Sequence, residues 1–356
     1  MPKRKKSQVP PSSVPIVATD SGGHSPGRRA WLRFRRNKPA IVSLVVMCLI
    51  TLACLLFLPA SSSNYFIQDL DYNWSPPLVN INTLNTDNNG STMSAEEKVD
   101  GVTESKHSIL DALFGFDILG RSMLWRCLFG GVVSLGIGLA AAMISVVIGT
   151  AWGAVAGWYG GRVDNVMMRL VDILYGLPYV LMIILLKVAF EEKLIKMLTH
   201  LFGPGQERLA NIMILFLAIG GVSWLTMARV IRGQVLSLKA LPYMEAARAM
   251  GVPTRSILWR HLLPNLVGPI IVYATLTVPQ AILQESFLSF LGIGIQAPMP
   301  TWGSLASEGV KAVNTVQSFW WMVFFPCLLL ALTLLCLNFI GDGLRDALDP
   351  KTQKTK

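Results

Sequence analysis

Charge is what this chain has least of. Only 15% of its residues are Asp, Glu, Lys or Arg, against 52% hydrophobic ones, and the mean hydropathy is +0.50. Soluble domains carry about 25% charged residues. A surface so poor in charge needs a second, apolar solvent, and that solvent is lipid. By length alone 356 residues suit two soluble domains, an expectation that the long apolar runs remove. The five cysteines (Cys48, Cys54, Cys127, Cys327 and Cys336) form no CxxC or Cys/His pattern. Neither a disulfide framework nor a zinc site is suggested, and a thiol inside an apolar run reads as a small apolar filler. The four histidines (His24, His107, His200 and His261) all lie outside the apolar runs. That argues against a metal-dependent enzyme inside the membrane. A phosphate-binding loop is missing too. Its nearest match, Gly22 to Arg29, lacks the Lys and the following hydroxyl, and no strand precedes it. The chain is therefore expected to hold no nucleotide and no cofactor of its own. Its net charge of +10 does not point to nucleic acid, because the basic residues sit at the ends of apolar runs, where they set membrane orientation.

What is present is a series of apolar runs. Residues 1–39 form a basic tail, Pro- and Ser-rich at first, with Trp31, Leu32 and Phe34 among arginines at 28–38. That stretch suits either a short helix on the membrane face or a plain basic flank. The first run, Ala40–Leu58, has no charge and is long enough to cross roughly 30 Å of hydrocarbon. Its leader is too long for a signal peptide, so it is expected to remain as a span. Residues 59–128 form a polar loop, rich in Ser, Asn, Asp and Thr over 60–113 and carrying the sequon Asn89-Gly90-Ser91. Residues 129–341 hold spans two to six: near 129–152, Met167–Phe190, Leu209–Ala228, Leu262–Phe287 and Phe319–Ile340. Gly131, Gly136, Gly138 and Gly149 let the second span pack closely. Pro178 is expected to kink the third. Residues 342–356 are a tail. Most Lys and Arg fall on one side if both termini are inside, which places the 60–113 loop outside. The fold class is therefore an all-α membrane protein with about six transmembrane helices.

The most informative stretch is Leu241–Asn265, on the inner side between spans four and five. Pro242 suits a first helical turn, where its missing N–H costs nothing. Glu245 falls near that helix's positive end. Gly251 is placed to end the helix in a left-handed conformation, and Pro253 stops continuation. Thr254 can cap a second helical stretch running to Leu263, and Pro264 opens the fifth span. A short rigid helix outside the lipid can serve as a handle, by which a partner moves two spans as one body.

Glu245-Ala246-Ala247, Gly251 four residues on, and then His261-x-Leu263-Pro264 resemble the EAA loop of bacterial ABC importer permeases. The family usually has an aliphatic residue where His261 stands. Three more stretches resemble its oligopeptide/dipeptide branch: Phe114 to Ser122, Glu285 to Gly292, and Gly341 to Pro350. Phe116 and Ser122 replace the branch's usual Thr and Asp. The resemblance spans roughly 28–352, and the 60–113 loop is longer than is typical. It implies a six-span permease in a bacterial inner membrane, multi-pass, with both termini cytoplasmic. Between spans four and five it implies a cytoplasmic coupling helix, with coupling residues Glu245, Ala246, Ala247, Gly251, Leu263 and Pro264. The implied partners are a second homologous permease subunit, two ATP-binding subunits carrying ATP and Mg, a periplasmic or lipid-anchored solute-binding protein, and membrane lipids. The implied cargo is an oligopeptide, with dipeptides, nickel or another small solute as alternatives. A secondary transporter driven by an ion gradient would show inverted repeats, and no clear repeat is visible.

Charged and amide side chains within spans are costly and need a partner, a cavity or an interface. Asp172 lies three residues after Arg169, a spacing that permits an ion pair. Lys187 is expected to snorkel outward. Glu285, near the outer end of span five, reads either as a structural hydrogen-bond partner or as a contact for a peptide amino group. Asp172, Gln284 and Glu285 are the candidates for the substrate path.

Overall fold

The computed structural model describes residues 26–77, 110–203, 205, 207–295, 297–313 and 318–348. The first part of the basic tail, most of the 60–113 loop with its sequon, and the last eight residues lie outside that range.

The described chain is helical apart from turns and one isolated bridge, Phe116 to Ser122. Helix α1, Pro26–Arg36, buries Phe34 and exposes Trp31 and Leu32. Asn37 then caps α2, Lys38–Leu56, through a bond from Ala40 N at 3.3 Å. A short α3, Leu58–Asn64, follows. Next comes α4, Met123–Tyr159, whose 37 residues exceed the predicted 129–152 at both ends. At about 1.5 Å per residue it is far longer than a bilayer core is thick, so it projects beyond the lipid.

The third span is broken. Helices α5, Gly161–Tyr175, and α6, Tyr179–Phe202, meet at 95° across Gly176-Leu177-Pro178. Pro178 has no N–H to continue the ladder, and the bend falls there as its position predicts. Helix α7 is Glu207–Lys239, and α8 is Pro242–Ala249. Helix α9 runs unbroken from Thr254 to Phe290 through a π turn at Leu258–Leu262. The two stretches expected on either side of Pro264 are thus one helix. Pro264 cannot bond back to the Arg260 carbonyl, and the widened turn absorbs the defect without ending the helix. An unanticipated α10, Trp302–Ala312, precedes α11, Trp320–Leu348. Eight residues of α11 lie beyond the predicted end of span six, so the tail's first residues are helical. Among the described residues, five helices are long and apolar enough to cross a membrane, and the bent pair makes up to six.

The core is the α4–α7 seam. Gly149, Gly153 and Gly157 recur every fourth residue on one face of α4. A Cβ at Gly149 would lie 2.6 Å from Met227 Cβ, at Gly153 2.4 Å from Ala228 O, and at Gly157 2.9 Å from Val235 Cβ. Only hydrogen fits, so the two helices touch closely over about two turns. At one end α1 is pinned to α11, where Phe34, Ala40, Ile340 and Ala347 cluster and Gly343 leaves room for Phe34.

Candidate coupling site and the polar residues of the bundle

Helix α8 stands off the end of α7, with Leu241 as its N-cap and Pro242 in its first turn. Met244 and Ala247 are its buried residues, packed with Trp158, Ile231, Val235, Ile257 and Leu262. Tyr243, Glu245, Ala246, Arg248 and Met250 are exposed. Glu245 occupies the acidic first-turn position that suits the helix dipole. The Arg248 guanidinium lies 4.6 Å from the Trp158 ring centroid, and Lys239 Nζ donates to Trp158 O at 2.6 Å. One face of α8 is thereby fixed to the bundle while the other is open.

The turn after α8 is closed by two backbone bonds. Gly251 N donates to Arg248 O at 3.0 Å, and Val252 N to Ala247 O at 3.2 Å. This pair defines a Schellman ending. Gly251 has φ +73, the left-handed angle its position predicts, and nothing stands within 4 Å of where its Cβ would be. Thr254 does not cap the next helix. Pro253 holds the cap position, with no side-chain bond, because Thr254 already has helical geometry. Leu263 is half-buried and Pro264 exposed, just past the π turn. All six coupling candidates therefore lie within or beside α8 and its turn, or just past the π turn, and Ala247 is the one among them whose side chain is buried.

The polar residues of the spans do not form one site. Asp172 binds Arg229 of α7 at 2.8 Å, not Arg169, because α5 crosses α7 and presents Asp172 to it. Asp164 grips Arg232 in a two-point contact at 2.5 and 2.6 Å. Arg229 also stacks 4.0 Å over the Tyr175 ring. Asn165, Met168, Arg169, Asp172, Arg229 and Arg232 line a cleft of about 560 Å³. Lys187 does not snorkel. It is buried, and its Nζ donates to the carbonyls of Ile293 and Gly294 at 2.6 and 3.3 Å. Glu285 is fully buried and accepts from Ser289 Oγ at 2.7 Å, with Ser134 Oγ at 3.5 Å. Gln284 Oε1 is buried with no partner in the described chain.

Sequence reasoning missed a further cluster at the end opposite α8. Asp117 Oδ2 takes Arg121 Nε at 2.7 Å and Arg126 Nη1 at 2.6 Å, and Glu308 of α10 bonds Arg126 Nη2 at 2.8 Å. The four-residue spacing of Asp117 and Arg121 was visible in sequence, but the partners from α4 and α10 were not.

The described residues make a multi-pass helical membrane protein with one short, exposed helix held between two of its spans. The family of binding-protein-dependent transport system inner membrane components matches residues 149–354, and the N-terminal transmembrane domain of oligopeptide transport permease C matches residues 25–77. The chain is 41% identical over 332 residues to the oligopeptide transport system permease protein OppC of Haemophilus influenzae, covering 91% of this chain and 90% of that one. It is 43% identical to OppC of Escherichia coli K12, covering 91% and 92%. It is 46% identical to the dipeptide transport system permease protein DppC of Bacillus subtilis, covering 68% and 70%. This chain belongs to the family of binding-protein-dependent transport system inner membrane components, and it is a multi-pass inner-membrane protein.

Proposed function

We propose that the chain is the permease subunit of an ATP-driven importer of oligopeptides. In this reading α8 docks into an ATP-hydrolysing subunit, with Glu245, Ala246, Ala247, Gly251, Leu263 and Pro264 forming or aiming the contact. ATP and Mg are held by two such partners, since this chain carries no phosphate-binding loop. A second, related permease completes the path, and a solute-binding protein delivers the peptide. The end bearing α8 and both termini face the cytoplasm, in keeping with its Arg and Lys residues. Asp172, Gln284 and Glu285 remain candidates for the path.

The observation that carries this reading is the join between α8 and α9. A Schellman turn at Gly251 connects an exposed handle to a single helix of 37 residues, Thr254–Phe290. A push on the handle is delivered along the whole bundle. Reconstitution of this chain with its ATPase, second permease and binding-protein partners tests it. ATP-dependent accumulation of a labelled tetrapeptide is expected, and its absence from an assembled, ATP-hydrolysing complex would overturn the cargo. The DppC relative supports a dipeptide alternative, which competition between di- and tetrapeptides separates.

A further inference from the structure

The end of the bundle opposite α8 is closed by backbone that turns back into it. Helix α9 stops at Phe290, Gly292 takes φ +79, and Ile293 N and Gly294 N both bond to Leu288 O, at 2.9 and 3.0 Å. The return is tight, since a Cβ on Gly294 would lie 2.0 Å from Ser289 Oγ. It carries Ile295 into one buried cluster with Ile137, Ala141, Ile183, Leu215 and Ala281.

One ionisable side chain holds this return, and a second is buried in α9 just before it. Lys187 comes from α6 and donates to Ile293 O and Gly294 O. Glu285 binds Ser289 Oγ and neighbours Ser134, whose Oγ accepts from Trp302 N at 3.2 Å, the first residue of α10. Among the described residues neither Lys187 nor Glu285 makes an ion pair. An ammonium group buried against neutral carbonyls is a costly way to join two elements that apolar packing would join more cheaply. Helix α9 ends where the return begins, so displacement of α8 arrives at Gly292–Ile295.

Building on the permease reading above, we propose that residues 291–295 are the gate at this end of the path and that Lys187 is its latch. Lys187 acts as a positioning residue. It keeps the gate shut by holding the Ile293 and Gly294 carbonyls, and it loses them when α9 moves.

The test uses the full chain, cysteine-free, with Ile295→Cys, in the membrane of the producing cell. A membrane-impermeant maleimide is added from the side of the gate. Slow labelling is expected while Lys187 is present. Lys187→Met should raise the labelling rate by about tenfold or more, the scale of one lost charged hydrogen bond. Lys187→Arg, which keeps charge and donors, should leave labelling slow. Fast labelling with Lys187 intact, or unchanged slow labelling in Lys187→Met at normal abundance, would overturn the proposal. If Lys187→Met does not reach the membrane, a second measurement decides. A disulfide between Ile183→Cys and Ile295→Cys should stop ATP-dependent uptake, and reductant should restore it; uptake that continues through the crosslinked chain overturns the gate. The labelling needs no cargo, so a complex that moves no peptide would overturn the oligopeptide cargo while leaving the gate decided on its own data.

Discussion

Arg126 Nη1 lies 2.6 Å from Asp117 Oδ2, and both side chains are almost completely buried. The contact fastens the segment before α4 to the start of α4, and Glu308 extends it to α10. Removing Asp117 takes the buried carboxylate from both Arg121 and Arg126 and leaves them only the partly exposed Glu308, which costs on the order of 3 kcal/mol. Asp117→Ala should therefore lower the melting temperature of the detergent-purified chain and its membrane abundance. Glu308→Ala should cost much less, because Glu308 is 37% exposed and water can replace it. Equal effects from both would argue against a network centred on Asp117.

The α4–α7 seam gives a sharper stability contrast. Gly153→Leu cannot be accommodated, since its Cβ alone would sit 2.4 Å from Ala228 O. Gly136 faces open space on the same helix, with nothing within 4 Å. Gly153→Leu should abolish accumulation of the folded chain while Gly136→Ala leaves it unchanged. Thermal denaturation of each variant, followed by size-exclusion retention, checks the pair.

Topology is tested with residues from the two ends. Met250 is 75% exposed beside α8, and Ile118 is 49% exposed at the opposite end. In a cysteine-free chain, Met250→Cys and Ile118→Cys should react with an impermeant thiol reagent from opposite sides of the membrane. Reaction of both from one side would remove the orientation on which coupling depends.

The coupling role rests on the angle at Gly251. Its left-handed φ is strained for a β-branched residue by about 1 kcal/mol or more, although no neighbour blocks the side chain. Gly251→Val should abolish uptake at near-normal membrane abundance, with loss of co-purification with the ATPase. Gly251→Asn, which tolerates the angle better, should retain part of both. Glu245→Lys should weaken uptake, by setting a positive charge at the positive end of α8. Normal uptake by Gly251→Val would leave this segment an ordinary loop.

Much of this architecture was legible in the chain itself. Lipid imposes one rule on a long uncharged run, and so Ala40–Leu58 and its successors read as spans without tertiary information. Local backbone chemistry is equally self-contained, which is why Pro242, Gly251 and Pro178 each stand where helix start, left-handed turn and break were expected. Partner choice is not local. Asp172 pairs with Arg229 rather than Arg169 because the bend at Gly176–Pro178 turns α5 across α7, and nothing within three residues of Asp172 encodes that crossing. Lys187 looked like a residue reaching for water because its own helix offers no acceptor. Its acceptors are carbonyls more than a hundred positions away, freed only because α9 ends and the chain folds back into the bundle. The sequence alone determined which segments are long and apolar enough to cross a membrane and where the third of them bends. Only the packing of α4, α6, α7 and α9 decided which buried charges meet which partners, because a charge in a low-dielectric interior takes whatever polar group the fold carries within reach.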